Sequence, residues 1–287
     1  MADQFDVIEA GQRGRRRWIG LVVVLALLGV PLVSLLASRD PMPEPVRETA
    51  PIRSLTRVES APNVLNAQSR ERDGREVIEV VFPHGVRAEV RYPARLGLDR
   101  LGSRPFQGMW VDGDYRQLVA PYNGEIEVTK GGEPIRAFAP HVTLWPRQAG
   151  SGSYGQVLLF RFGRWRMAMY DRPSGLDFEQ RMAVAAGVRG SVTDGYLVLS
   201  GTDRVRMAEP GESARGEAAG PQLWFGGGIS DMVVLIPSCA KLDQLPRGVR
   251  GRGRPVSSVC RDGVRIAAAG DPGFVKTALD EIRITLK

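Results

Sequence analysis

Residues 76–92 read EVIEVVFPHGVRAEVRY, and their pattern sets the fold class. Val86, Ala88, Val90 and Tyr92 alternate with Arg87, Glu89 and Arg91, the period-two signature of a strand with one solvated face. The run before it, Glu76–Phe82, is richer in apolar residues, and Pro83-His84-Gly85 between the two is turn chemistry. Together they predict a β-hairpin.

The same reading extends along the chain. Asn123-Gly124 is a pair favoured where both turn positions need positive φ, and it predicts a second hairpin from Gln117–Tyr122 and Glu125–Lys130. Val157–Phe162 and Trp165–Tyr170, turning at Gly163-Arg164, predict a third. Further strands are expected at Ile135–Leu144, Tyr196–Ser200, Pro221–Phe225, Met232–Ile236 and Val264–Ala268. Two helices interrupt them. Ser174-Gly-Leu-Asp177 has capping-box-like spacing with Asp in the place of Glu, and leads into FEQRMAVAA with a stop at Gly187. Asp271 followed by Pro272 is an N-cap and first-turn proline. The helix it opens, to about Ile282, presents Phe274, Val275, Ala278, Leu279 and Ile282 on one face. Glu212–Gly220 reads as an exposed loop. The expected fold is α+β and β-rich: an antiparallel-sheet domain over 75–287 with two short helices, either one body or two lobes divided near 150–155.

Trp18–Ala37, WIGLVVVLALLGVPLVSLLA, is a stretch of twenty residues without a charge. At about 1.5 Å per residue it spans roughly 30 Å, the hydrocarbon thickness of a bilayer. Arg13, Arg15, Arg16 and Arg17 precede it, whereas Arg39 is offset by Asp40. The positive-inside rule then places residues 1–17 in the cytoplasm as a basic tail and everything after the transmembrane helix 18–37 outside. A cleavable signal peptide fits less well, because the apolar run is long and the exit Leu35-Leu36-Ala37 lacks a second small residue. Arg15-Arg16-Arg17-Trp18 loosely resembles a twin-arginine export signal, which ordinary inside charge explains as well. A buried core helix is disfavoured by length and by the arginines. From 38 to about 74, five prolines and mixed charge deny the chain a core and predict an extracytoplasmic stalk; the alternative for its last ten residues, only slightly less favoured, is a lead-in that docks on the domain.

The whole chain carries 39 basic against 32 acidic residues in 287, a formal charge of +7. The first seventeen residues hold four Arg against Asp3, Asp6 and Glu9, so the basic balance belongs to the exported part too. It favours anionic lipid or envelope polymer as a partner and says nothing of fold. Lysine occurs only at 130, 241, 276 and 287, a bias that a GC-rich bacterial genome explains more simply than phosphate recognition.

Cys239 and Cys260 are the only cysteines, and both follow the predicted span. An even count in an oxidising compartment predicts a disulfide, which would stabilise by about 3 kcal/mol on the chain-entropy model. The segment between them, AKLDQLPRGVRGRGRPVSSV, holds Arg247, Arg250, Arg252 and Arg254. Guanidinium pairs bidentately with phosphate, so this loop is a candidate site for an anionic polymer or lipid head group; the alternative is a solvated loop. The compartment argues against nucleic acid.

The remaining chemistry is sparse. His84 and His141 have no metal-ligand spacing. Ser151-Gly-Ser-Tyr-Gly155 falls one residue short of a nucleophile elbow. Asp112-Gly-Asp114 reads as a turn before it reads as an acid–base pair, and Phe225-Gly226-Gly227-Gly228 as a loop or bulge. Phosphate-binding and dinucleotide-binding glycine motifs are not found, and neither cofactor nor metal is expected.

The basic N-terminus with its single span, VFPHGVRAEVRYPARLGLDRLGSRPF, DGYLVLSG and GDPGFVKTALDEIRI resemble uncharacterised single-pass membrane-anchored proteins of high-GC actinobacteria. The resemblance implies no activity. The expected function is a non-enzymatic binding or interaction module of the cell envelope, its partner another envelope protein or an anionic polymer. The alternative is a cell-wall-modifying hydrolase with a carboxylate site that no motif marks.

Overall fold

The computed structural model describes residues 63–146, 155–171, 175–202, 204–227, 230–250 and 253–287. The tail 1–17, the span Trp18–Ala37 and the stalk as far as 62 lie outside them, as do Arg252 and most of Ser151–Gly155. Among the described residues no helix is long and apolar enough to cross a membrane.

The first hairpin falls where the alternation places it. β1 (Arg70–Arg72) and β2 (Arg75–Val81) precede β3 (Arg87–Tyr92), and after helix α1 (Leu98–Leu101) come β4 (Ser103–Val111) and β5 (Asp114–Val119). Helix α2 (Glu125–Thr129) leads to β6 (Arg136–Ala139), β7 (Val142–Trp145), β8 (Val157–Phe162) and β9 (Trp165–Tyr170). Helix α3 (Phe178–Gly187) is followed by β10 (Arg189–Thr193), β11 (Tyr196–Ser200), β12 (Val205–Met207), β13 (Ser213–Ala214) and β14 (Glu217–Ala218). The chain closes with β15 (Gln222–Gly226), β16 (Met232–Ile236), β17 (Val256–Arg261), β18 (Val264–Ala269), helix α4 (Pro272–Glu281) and β19 (Arg283–Leu286). The fold is β-rich with antiparallel sheets and four described helices, of which α3 and α4 are the two expected.

One sheet of eleven strands runs β17-β18-β16-β15-β4-β5-β9-β8-β7-β6, with β12 also on β4. Strands from both sides of residues 150–155 thus share it. A second sheet, β1-β2-β3-β19, lies over the β15-β16-β18 end with α4. Ile78, Val90, Leu223, Phe225, Leu235, Ile266, Ala278 and Ile284 form the core between them. At the other end β4, β5 and β7–β9 pack against α3 and the β10–β11 hairpin around Trp165, Phe160 and Met167. MVVLI of β16 is buried on both faces: Val233 and Leu235 enter the first core, while Met232, Val234 and Ile236 meet the segment after Cys239. That double burial explains an unbroken apolar run.

Several expectations are corrected. Asn123-Gly124 turns no hairpin: Gly124 precedes α2, and Glu125–Thr129 is helix, capped by Lys130, where a strand is expected. β5 begins earlier and returns to β4 through Asp112-Gly113. The long strand Ile135–Leu144 divides into β6 and β7. The α3 cap lies three residues later than expected, with the Asp177 carboxylate accepting from the Gln180 backbone and the Gln180 side chain accepting from the Asp177 backbone. Residues 63–74 lie against the domain, as the docked lead-in weighed beside the stalk for the last ten residues would. Leu65 exchanges two backbone hydrogen bonds with Ser103, and β1 pairs with β2.

Candidate functional site

Cys239 and Cys260 form a disulfide with Cα atoms 5.7 Å apart. The loop it closes is a cover for the sheet. Leu242, Leu245 and Val249 pack on Val234, Ile236 and Ala267, and Gly248 passes so close to Trp224 that an added Cβ would stand 2.2 Å from the indole. Three of the four predicted arginines, Arg247, Arg250 and Arg254, are among the described residues. Arg247 and Arg250 converge on Glu217, at 3.3 and 2.5 Å, and Arg250 also donates to the Leu245 carbonyl. Arg254 donates to the Ser230 carbonyl. The fold therefore spends much of this basic charge on its own carboxylate and carbonyls. Among the described arginines of this loop, Arg247, with 82% of its side chain exposed, stands furthest into solvent.

Other carboxylates are also held by arginine. Glu125 at the start of α2 accepts from Arg161 and Arg166 of the β8–β9 hairpin. Burial alone would raise its pKa, but these hydrogen bonds outweigh burial and hold it below the ordinary range. Glu212 behaves alike, accepting from Trp110 and Arg206. Asp112, in the β4–β5 turn, takes a bidentate contact from Arg204 that lowers its pKa. Asp171, nearly buried, accepts from Arg181 of α3 at 2.8 Å. Every carboxylate with a resolved pKa shift among the described residues moves downward, whereas a general acid needs the opposite. His84 and His141 lie in separate turns, and no group of three or more His, Cys, Asp or Glu able to hold a metal occurs among the described residues.

Two open depressions among the described residues are large enough to consider. One, about 500 Å³ and widely open, is bordered by Trp110, Asp112, Arg204 and Arg206, whose charges are already paired. The other is a cleft of about 430 Å³ between the segment Leu65–Arg70 on one side and Val77, Glu79, Asp194 and Tyr196 on the other. The segment is a strap fixed at both ends. Leu65 is tied to Ser103, and Asn66 donates to the carbonyls of Asp99 and Arg100; Arg70 pairs with Val77. Tyr196 is 4% exposed and gives its hydroxyl to the Glu79 carbonyl at 3.1 Å, and burial pushes its pKa up to about 12. At the lips, Glu79 accepts from Lys287 and Arg70, which lower its pKa, and Asp194 pairs with Arg87. The walls are mixed, and both rim carboxylates are paired, Glu79 with two cations and Asp194 with one.

None of these cleft residues stood out in the sequence, because Leu65–Arg70 reads as linker. Asp73-Gly74, a hairpin pair, was the available signal that a strand ends just before it.

Comparison with known proteins returns no match: no family model, no characterised protein and no solved structure.

Proposed function

We propose that this chain is a binding protein of a bacterial cell envelope, tethered by Trp18–Ala37 with its N-terminus in the cytoplasm and its β-rich domain outside. We further propose that the cleft beneath Leu65–Arg70 is where it takes another envelope protein. The observation that carries the reading is the strap itself, anchored at both ends over a cleft of about 430 Å³, a size suited to a ligand. The exposed disulfide supports an oxidising compartment. Convergence of Arg247 and Arg250 on Glu217 favours a protein partner over an anionic polymer, and the lowered carboxylate pKa values favour binding over hydrolysis.

A photo-crosslinking residue at Gln68, which lines the cleft, tests this in living cells. It should yield discrete adducts with envelope proteins that the same residue at Lys276, on the exposed side of α4, does not. Identical patterns from both positions, or none from Gln68, would overturn the proposal.

A further inference from the structure

The cleft contains an unfinished β-ladder. β2 and β3 are closed by the Phe82 N–H donating to the Val86 carbonyl at 2.8 Å, and in an antiparallel pair bonded and non-bonded positions alternate. Following the register from Val81↔Arg87 to Glu76↔Tyr92, Val80, Ile78 and Glu76 bond to β3. The N–H and C=O of Val77, Glu79 and Val81 point to the other edge. β1 uses that edge through Arg72↔Arg75 and Arg70↔Val77, and then the chain leaves the ladder. At Glu79, the next position, the carbonyl receives the Tyr196 hydroxyl, and the N–H faces away from β3 beyond the last β1 pair, with no turn or loop carbonyl on it among the described residues. Across the cleft the backbone of Ala67, Gln68 and Ser69 is likewise unpaired with other backbone among the described residues.

A gap of this kind normally closes by continuing the strand. Here it does not, because Leu65 and Asn66 hold the strap on Ser103, Asp99 and Arg100, away from β2. What fits between is a chain bringing its own alternating donors and acceptors, the mode in which extended peptides add to exposed sheet edges. The rim favours an occupant that is neutral or carries little negative charge, since Arg70 and Lys287 share Glu79 and Arg87 meets Asp194, a small positive balance. Resting on the cleft as the binding surface, we infer that an extended segment of the partner polypeptide adds to β2 at Glu79 as an extra strand beneath Asn66–Ser69.

The test uses the full chain and displayed random heptapeptides, the best binder being resynthesised with a single backbone N-methyl at each position in turn. Strand addition predicts a two-residue period: methylation at alternate positions weakens binding about tenfold, the positions between them much less. Glu79→Pro, which removes the edge N–H from a position that β3 does not use, should weaken binding about tenfold beyond Glu79→Ala, which keeps it. Should Glu79→Pro fail to fold, the N-methyl period still decides. A binder without that period, or an equal loss in the two Glu79 variants, overturns strand addition. If no heptapeptide binds while Gln68 still crosslinks a partner, strand addition fails and the binding reading stands. If Gln68 crosslinks nothing, the binding reading itself has failed.

Discussion

The side chain of Asn63 is 4% exposed and makes three hydrogen bonds. It donates to the carbonyls of Pro121 and Arg166 at 3.0 and 2.7 Å and accepts from the Arg166 N–H at 3.1 Å. It thus joins the lead-in to β9 and to the segment before α2, just upstream of the strap. Asn66, three residues on, is exposed and donates to two carbonyls as well. The difference between them is water. Removing Asn63 leaves buried backbone groups unpaired, each loss being worth about 1–3 kcal/mol, whereas solvent replaces Asn66. Asn63→Ala should therefore lower the urea midpoint of unfolding by an amount equivalent to about 2–3 kcal/mol, and Asn66→Ala by well under 1 kcal/mol. Equal losses would show that the lead-in is not locked at Asn63. Nothing in the sequence singles out Asn63: a polar residue after Pro62 is linker chemistry, and its partners lie 58 and 103 residues away.

At the level of elements, the turns were more legible than the reading of Asn123-Gly124 suggests. Asp-Gly occurs at 73, 112, 194 and 262, and each closes a two-residue hairpin with both residues at positive φ. Asn123-Gly124 is the exception because β5 finds its next neighbour in β9, through Val119↔Ala168, so the pair leads into α2. β4, the strand at the middle of the large sheet, was missed for another reason. SRPFQGMWV has no alternation and buries Ser103, Arg104 and Gln107. Their partners are distant carbonyls, Gly226 and Ala120 for Arg104 and Ala208 for Gln107, which local pattern does not encode. Two glycines separate the demands that these elements make. At Gly263 in the β17–β18 turn, φ is +78° but an added Cβ meets only Leu286, at 4.0 Å. At Gly248 the Trp224 ring stands in the way. Gly263→Ala should cost about 1 kcal/mol through backbone strain alone, and Gly248→Ala about 2–3 kcal/mol by lifting the disulfide loop from its sheet. Thermal unfolding of the two variants checks this, and a Gly248→Ala protein as stable as the parent would mean that the loop is not seated on Trp224.

Over the whole molecule, the response to pH follows from where the protons sit. Glu125 and Glu212 have folded pKa values below the ordinary range, so their contribution is complete above the unfolded value of about 4.3 and lost as pH falls through the folded values. Tyr170 and Tyr196 are pushed by burial to about 12. The unfolded chain releases these protons from about pH 10 while the folded one keeps them, so stability falls between those limits. His84 adds a step on the acid side. Its Nδ1 is buried without a partner, and burial holds its pKa below the ordinary value against the nearby Glu209. Below about pH 6.5 the unfolded state takes up a proton that the folded state refuses, and stability declines there before any carboxylate titrates. Urea midpoints from pH 4 to 11 should accordingly trace a plateau with a shallow loss below about pH 6.5, a steeper one below about pH 4.5, and an alkaline fall above about pH 10. In His84→Gln the shallow step should vanish while the two outer limbs remain. Its persistence in that variant would place the step on another group, and its absence in the parent would mean that His84 titrates as freely in the folded chain as in the unfolded one.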